Sequence, residues 1–285
     1  MLQAQFGRSG EGPGEFIAPS GLAFISDTVL AVIDFRGNFI SLFDRRSGTY
    51  YRRRGFEGSY RSISFGRDSL WLGLWNARLN TAVALWSVAD DSISHLVPIP
   101  DVYPPQSLTR MLLDNTLVVP YGDSLVVAFA GDRRITIANR AGGRIATFEI
   151  PVASRRGLPI DVEARMSKSS SIEEAVLQSS YLLALGRLSS GALLVVHADM
   201  ELKSKIYLMD VFVSIVSPDF KQACVDAKLP LGRQAQPWIA MSGDTLVTLE
   251  QLVTESDRPV SIVRRFLLDQ SSCVWMSTAL ESALP

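Results

Sequence analysis

A short polar turn carrying Gly or Asp, followed at once by an apolar run of strand length, recurs along this chain. It appears as Gly66-Arg67-Asp68-Ser69-Leu70, Gly122-Asp123-Ser124-Leu125, Ser190-Gly191-Ala192-Leu193 and Gly243-Asp244-Thr245-Leu246. A tight turn between two apolar runs marks a β-hairpin. The runs gather into sets of four. Residues 21–25, 29–34, 39–43 and 49–53 make the first set, and 62–65, 70–74, 82–88 and 94–98 the second. Residues 117–121, 125–130, 134–139 and 144–150 make the third. The fourth is 181–186, 193–198, 206–217 and 222–227, and the fifth is 238–241, 246–251, 261–268 and 273–276.

A four-stranded unit repeated at about 40 to 60 residues is the mark of propeller blades. One such unit cannot bury both of its faces. Neighbours packed around an axis hide those faces and leave short, protected edges. A two-sheet sandwich is the competing architecture, but it uses fewer strands than are counted here. The expectation is therefore an all-β chain, a β-propeller of four-stranded blades forming one domain over residues 1–285. Five blades are readable. The lone segment 3–6 is either a strand that closes the last blade or the remnant of a sixth. Helical periodicity is scarce. Residues 171–177 alone suggest a helix, with Ser171 and Glu174 spaced as a capping box. They lie in a polar, serine-rich stretch near 155–180 that breaks the pattern and reads as an inserted loop. Such a loop either carries function or is a plain surface excursion.

Composition excludes several classes. Apolar residues make up 47%, enough for a full core, and the net charge of -1 offers no basic excess for nucleic acid. The longest apolar runs, 125–130 and 192–196, are strand-sized, far below the roughly 20 residues of a membrane span. Residues 1–6 lack the basic start and apolar stretch of a signal peptide. Taken literally, that start implies a cytoplasmic chain.

The search for chemistry finds few candidates. The glycines from Gly7 to Gly14 lead into strands and lack the following helix that a dinucleotide site needs. No nucleophile turn and no calcium loop is present, and no cofactor is expected. In Val195-Val196-His197-Ala198-Asp199, alternation places His197 and Asp199 on one strand face. They are either an acid–base or cation-binding pair or, more simply, a histidine satisfied by its neighbours. Arginines cluster at 45–46, 52–54, 133–134, 155–156 and 264–265, and Arg36 and Arg78 sit in turns after second strands as candidate ligand contacts. Trp71 and Trp75 share a face by parity and serve either as a binding platform or as core, with Trp86 nearby in the set. Cys224 and Cys273 are two half-buried thiols or a disulfide. Two cysteines with His95 and His197 far off in sequence do not make a zinc site.

Residues 6–16, Phe-Gly-Arg-Ser-Gly-Glu-Gly-Pro-Gly-Glu-Phe, followed by Pro19-Ser20-Gly21-Leu22-Ala23, resemble the blade junction of NHL-type bacterial six-bladed β-propellers. Val32-Ile33-Asp34, Asn38-Phe39-Ile40 and Phe43-Asp44 are similar to the NHL repeat. In this reading Gly12, Pro13, Gly14, Asp34 and Asn38 are turn residues, with the glycines permitting positive φ and the carboxamide and carboxylate bonding backbone. The resemblance is specific over residues 6–44 and looser beyond. It implies an extracytoplasmic origin and an opening blade ahead of the junction, which this chain enters at its last strand. It also places Cys224 and Cys273 in the last strands of successive sets, where an oxidising compartment would allow a bond. NHL-type modules serve mostly as interaction platforms, so a non-enzymatic binding or scaffold module is expected, with a protein or small-molecule ligand. The alternative is a metal-dependent hydrolase or lyase, which two histidines furnish poorly.

Overall fold

The computed structural model describes residues 7–66, 69–103, 115–151, 155–158, 177, 179–203, 206–233, 237–253 and 259–282. The expected closing segment 3–6, all of the helical candidate 171–177 except Leu177, which is helical, and most of the 155–180 insertion lie outside the described residues. Among the described residues the elements are all strands.

Five antiparallel sheets follow one another along the chain. Sheet one is β3 (Pro19–Phe24), β4 (Val29–Asp34), β5 (Phe39–Asp44) and β6 (Tyr50–Gly55), in that spatial order. Sheet two is β7 (Ser59–Gly66), β8 (Ser69–Asn76), β9 (Thr81–Ser87) and β10 (Ile93–Pro98). Sheet three is β11 (Thr116–Tyr121), β12 (Ser124–Phe129), β13 (Arg134–Asn139) and β14 (Arg144–Glu149). Sheet four is β15 (Tyr181–Arg187), β16 (Leu193–Lys203), β17 (Ile206–Val216) and β18 (Gln222–Lys228). Sheet five holds β19 (Trp238–Ser242), β20 (Thr245–Val253) and β21 (Pro259–Leu267). Ahead of sheet one, β1 (Arg8–Ser9) and β2 (Glu15–Phe16) form a short parallel pair.

The chain divides into two compact units. One gathers Met1–Asp101, Asp114–Val127 and Ile137–Arg144, the other Val102–Leu113, Ala128–Thr136 and Ile145–Pro285. In the first, Ile33, Ile40 and Leu42 of sheet one share a buried cluster with Leu70, Leu72, Leu74 and Trp86 of sheet two. In the second, Leu194, Val196, Val213 and Ile215 of sheet four pack with Leu246 of sheet five. The middle strands are apolar at nearly every position because both of their faces are covered. β4 and β12 are buried from their second residue onward.

Turn chemistry explains why the hairpins close where they do. Between the third and fourth strands of sheet one, the Asp44 carboxylate accepts the Arg46 and Ser47 amides, at 2.9 and 2.7 Å, and Gly48 takes φ 74°. Asn139 repeats the device in sheet three by accepting the Ala141 and Gly143 amides, and Asp219 of sheet four accepts the Lys221 amide. Trp71, Trp75 and Trp86 are all buried, and Trp86 meets Phe56 edge to face at 5.6 Å. They are core, which removes the binding-platform reading.

The fifth set departs from expectation. Sheet five has three strands, not four, and Cys273 lies just after a turn, in irregular chain, not in a strand. After Leu267 the Asp269 carboxylate accepts the Ser271 amide and hydroxyl and turns the chain away. The segment then lies along other sheets. β22 (Met276–Ser277) pairs with β18, and β23 (Ala279–Ser282) pairs with β14, both antiparallel. Cys224 of β18 is joined to Cys273 by a disulfide, with Cα atoms 5.5 Å apart. The bond ties the terminal strap to the outer edge of sheet four.

Candidate functional site

β16 opens with six buried residues, Leu193 to Ala198, in the middle of sheet four. His197 is fifth among them. It stands opposite Leu182 of β15 and Phe212 of β17, fully buried, its ring stacked on Phe212 with centroids 5.4 Å apart. Its Nε2 faces the Asp226 carboxylate at 3.9 Å. Burial, and then the positive charges of Arg155 and Arg156, push its pKa down to about 3. At neutral pH the ring is uncharged and packed, which suits a core histidine better than a proton carrier.

Asp199, two residues on, is half-buried and engaged elsewhere. It accepts the Ser180 hydroxyl at 2.6 Å and pairs with the Arg156 guanidinium at 3.4 Å. Ser180 in turn accepts the Arg156 amide at 2.7 Å. The stretch 155–158 is thereby fastened to the base of β16. On its other side Leu158 donates its amide to the Gly131 carbonyl, and the Tyr103 hydroxyl accepts the Gly131 amide. Arg155 is buried, and its Nη2 donates to the carbonyls of Phe129 at 3.1 Å and Asp132 at 2.5 Å. Burial brings its pKa down to about 10, still well above neutrality.

Beyond this base the β16–β17 hairpin projects. β15 reaches only to Ala198 and β18 only to Phe212, while β16 and β17 continue to pair from Asp199↔Asp210 out to Lys203↔Ile206. Two carboxylates therefore stand directly across the ladder, an unfavourable pairing on its own. Cations on both sides offset it. Arg156 meets Asp199, while Lys228 at 2.9 Å and Arg233 at 2.8 Å meet Asp210, and Arg233 also reaches Glu201 at 3.1 Å. Near its end the hairpin exposes Leu202, Ile206 and Tyr207, the last two about half exposed at 48% and 50%.

The remaining expected residues are placed elsewhere. Arg36 is exposed in the turn after β4, and Arg78 is exposed in the turn after β8, paired with Glu57 at 2.6 Å. Asp34 is fully buried and accepts the amides of Ile17 at 2.5 Å, Ala18 at 3.2 Å and Gly37 at 2.8 Å. Asn38 takes φ 56° and Gly14 φ 76°. The Gly12 amide donates to Glu15 at 2.8 Å, Pro13 is exposed beside it, and Arg53 donates to the Glu11 and Gly12 carbonyls. Among the described residues no group of three or more His, Cys, Asp or Glu side chains is arranged to hold a metal ion, and no helix is long and apolar enough to cross a membrane.

Sequence reading missed the projecting hairpin, Ser180, Asp226 and the Asp210–Arg233–Lys228 set. A signal was present in the alternation of Met200 and Leu202 with Glu201 and Lys203, which continues the strand beyond residue 198.

Successive antiparallel sheets of this kind define the β-propeller class. A solved structure agrees. A Bacteroides fragilis protein described as a candidate exported protein superimposes with TM-score 0.52 at 14% identity, over 86% of this chain and 70% of that one. Hydrazine synthase of Kuenenia stuttgartiensis follows at TM-score 0.48, 12% identity and coverages of 82% and 76%. A streptogramin B lyase follows at 0.47, 11%, 93% and 86%. At these identities the first likeness speaks for the fold alone. No family model matches the chain, and no curated protein matches it in sequence.

Proposed function

We propose that this chain is a non-enzymatic binding module of the β-propeller class that contacts another protein through the projecting hairpin of sheet four. The observation that carries the reading is the hairpin itself: a two-stranded arm cross-braced by Arg233 and Lys228, with Leu202, Ile206 and Tyr207 exposed towards its end. A braced arm loses little freedom on binding, and an exposed aromatic beside aliphatic residues is what a protein interface uses as an anchor. The state of His197, enclosed and uncharged, argues against the acid–base alternative. The Gly12-Pro13-Gly14-Glu15-Phe16 junction and Asp34 support a relation to the NHL type, whose members have six blades; five sheets of that kind are described here. An extracytoplasmic location is part of the proposal. The Cys224–Cys273 disulfide suits an oxidising compartment, and the Bacteroides fragilis protein named for export agrees with it.

The test compares retention of partner proteins by the wild-type chain and by a variant carrying Leu202→Ser, Ile206→Ser and Tyr207→Ser. The reading expects a defined partner to be lost with the melting temperature unchanged. Equal retention by both chains would sink it.

A further inference from the structure

Four arginines lie in and beside the stretch 155–158, and three of them are matched. Arg133 pairs with Glu149 at 3.7 Å, Arg134 with Asp132 at 3.1 Å and Arg156 with Asp199 at 3.4 Å. The fourth, Arg155, is the most enclosed, with 3% of its surface exposed. Its Nη2 is spent on the two carbonyls of Phe129 and Asp132. Its Nε and Nη1 are buried and have no hydrogen-bond partner among the described residues. A guanidinium has five N–H donors, so three of them find no acceptor among the described residues. The Asp132 carboxylate that could reach it already holds the Arg134 side chain and amide. A buried cation with more than half of its donors unmet and its nearest carboxylate already engaged is disfavoured. A charged acceptor arriving from outside would relieve both deficits.

We propose that Arg155 anchors a binding site for an oxyanion, the carboxylate or phosphate group of a small ligand, at the base of the sheet-four hairpin. The chemistry selects the ligand. Three N–H donors on a planar cation suit a group with two or three oxygens, and with the neighbouring carboxylates already neutralised, a single anionic group balances the charge. Arg156 lies on the adjoining residue, so its field adds to that of Arg155 and both act on the nearby His197. Nε and Nη1 are enclosed, so a bound oxyanion would be sealed from water and would exchange slowly. The site does not rest on the protein-binding role of the hairpin.

The chain has two histidines, His95 and His197. That makes the imidazole ¹⁵N spectrum a clean reporter. The folded chain is titrated with inorganic phosphate in one arm and acetate in the other, with sodium chloride holding ionic strength constant. The proposal expects a saturable change at His197, none at His95 and none with chloride. The arm that saturates at lower concentration names phosphate or carboxylate as the ligand group. Arg155→Met should abolish the response. Arg155→Lys, which keeps the charge but loses the planar set of donors, should weaken it by roughly tenfold and serves if the methionine variant fails to fold. The proposal is overturned if neither anion gives a saturable change, or if Arg155→Lys responds as strongly as the wild type.

Discussion

Asp34 shows how one buried carboxylate can fix the start of a sheet. It accepts three backbone amides, from Ile17, Ala18 and Gly37, and so joins the incoming segment to the β4–β5 turn. Asp34→Ala would leave those donors unsatisfied and should destabilise the chain by about 3 kcal/mol in denaturant titration. Asp34→Asn, which keeps one acceptor oxygen, should cost less. His197 makes a prediction about pH. In the unfolded chain its ring titrates near 6.5 and in the folded chain near 3, so between those values the unfolded state binds the extra proton. The stability that depends on the neutral ring is complete above about pH 6.5. It is lost as pH falls through the window, by up to about 1.4 kcal/mol per pH unit. The carboxylates of Asp44 and Asp90 are held to about 2 by bonds from Ser47 and from Ser87 and Ser92 respectively, so their loss comes below about pH 4. His95 is lowered by burial as well, so the comparison that isolates His197 is His197→Leu against wild type. The variant should lose most of the slope between pH 6 and 4.5 in chemical melts. An unchanged slope would show that the ring is not enclosed. At this scale the Asp34 bond to the Gly37 amide, three residues on, is the kind of contact a sequence displays, since both partners lie in one turn. The sequence was not informative for Asp199, whose partners Ser180 and Arg156 come from distant chain positions.

Elements were legible where their pattern is local. In four of the five sets the four runs became adjacent strands of one sheet, because each hairpin is closed by its own turn residues, Asp44, Asn139 and Asp219 among them. The last set misled because Cys-Val-Trp-Met at 273–276 has strand composition, yet only Met276 joins a strand, which pairs with β18, and composition says nothing about which edge a strand will join. The disulfide holds that choice in place. All four residues of β23 are exposed, so the strap buries little on its own account. Cys273→Ser should therefore lower stability by about 2 to 4 kcal/mol, and hydrogen exchange at residues 276–282 should accelerate sharply while exchange in β16 is unchanged. Retained protection across the strap would mean that its ladder bonds suffice without the bond to Cys224. The hairpin ion pairs act differently. Arg233 and its carboxylates are partly exposed, so Arg233→Met should cost less than about 1 kcal/mol, and that cost should vanish in high salt.

For the molecule as a whole, the recurrence of a turn followed by an apolar run was enough to indicate a β-propeller, since stacked sheets bury both faces of their middle strands and the sequence records that as unbroken apolar runs in β4, β12 and β16. Function was far less visible. The arm that stands out in the structure is made of ordinary alternating residues; the alternation at 200–203 continues the strand, but nothing in it shows that the neighbouring strands stop short. The central claim is that this arm is a contact surface for another protein. It is tested most directly by placing a photo-crosslinking amino acid at position 207 and, as a control, at the equally exposed position 51, whose Tyr51 has 51% of its surface free. Irradiation in a native extract should give one defined adduct from position 207 and none of that mass from position 51. The same products from both positions, or none from 207, would contradict the claim.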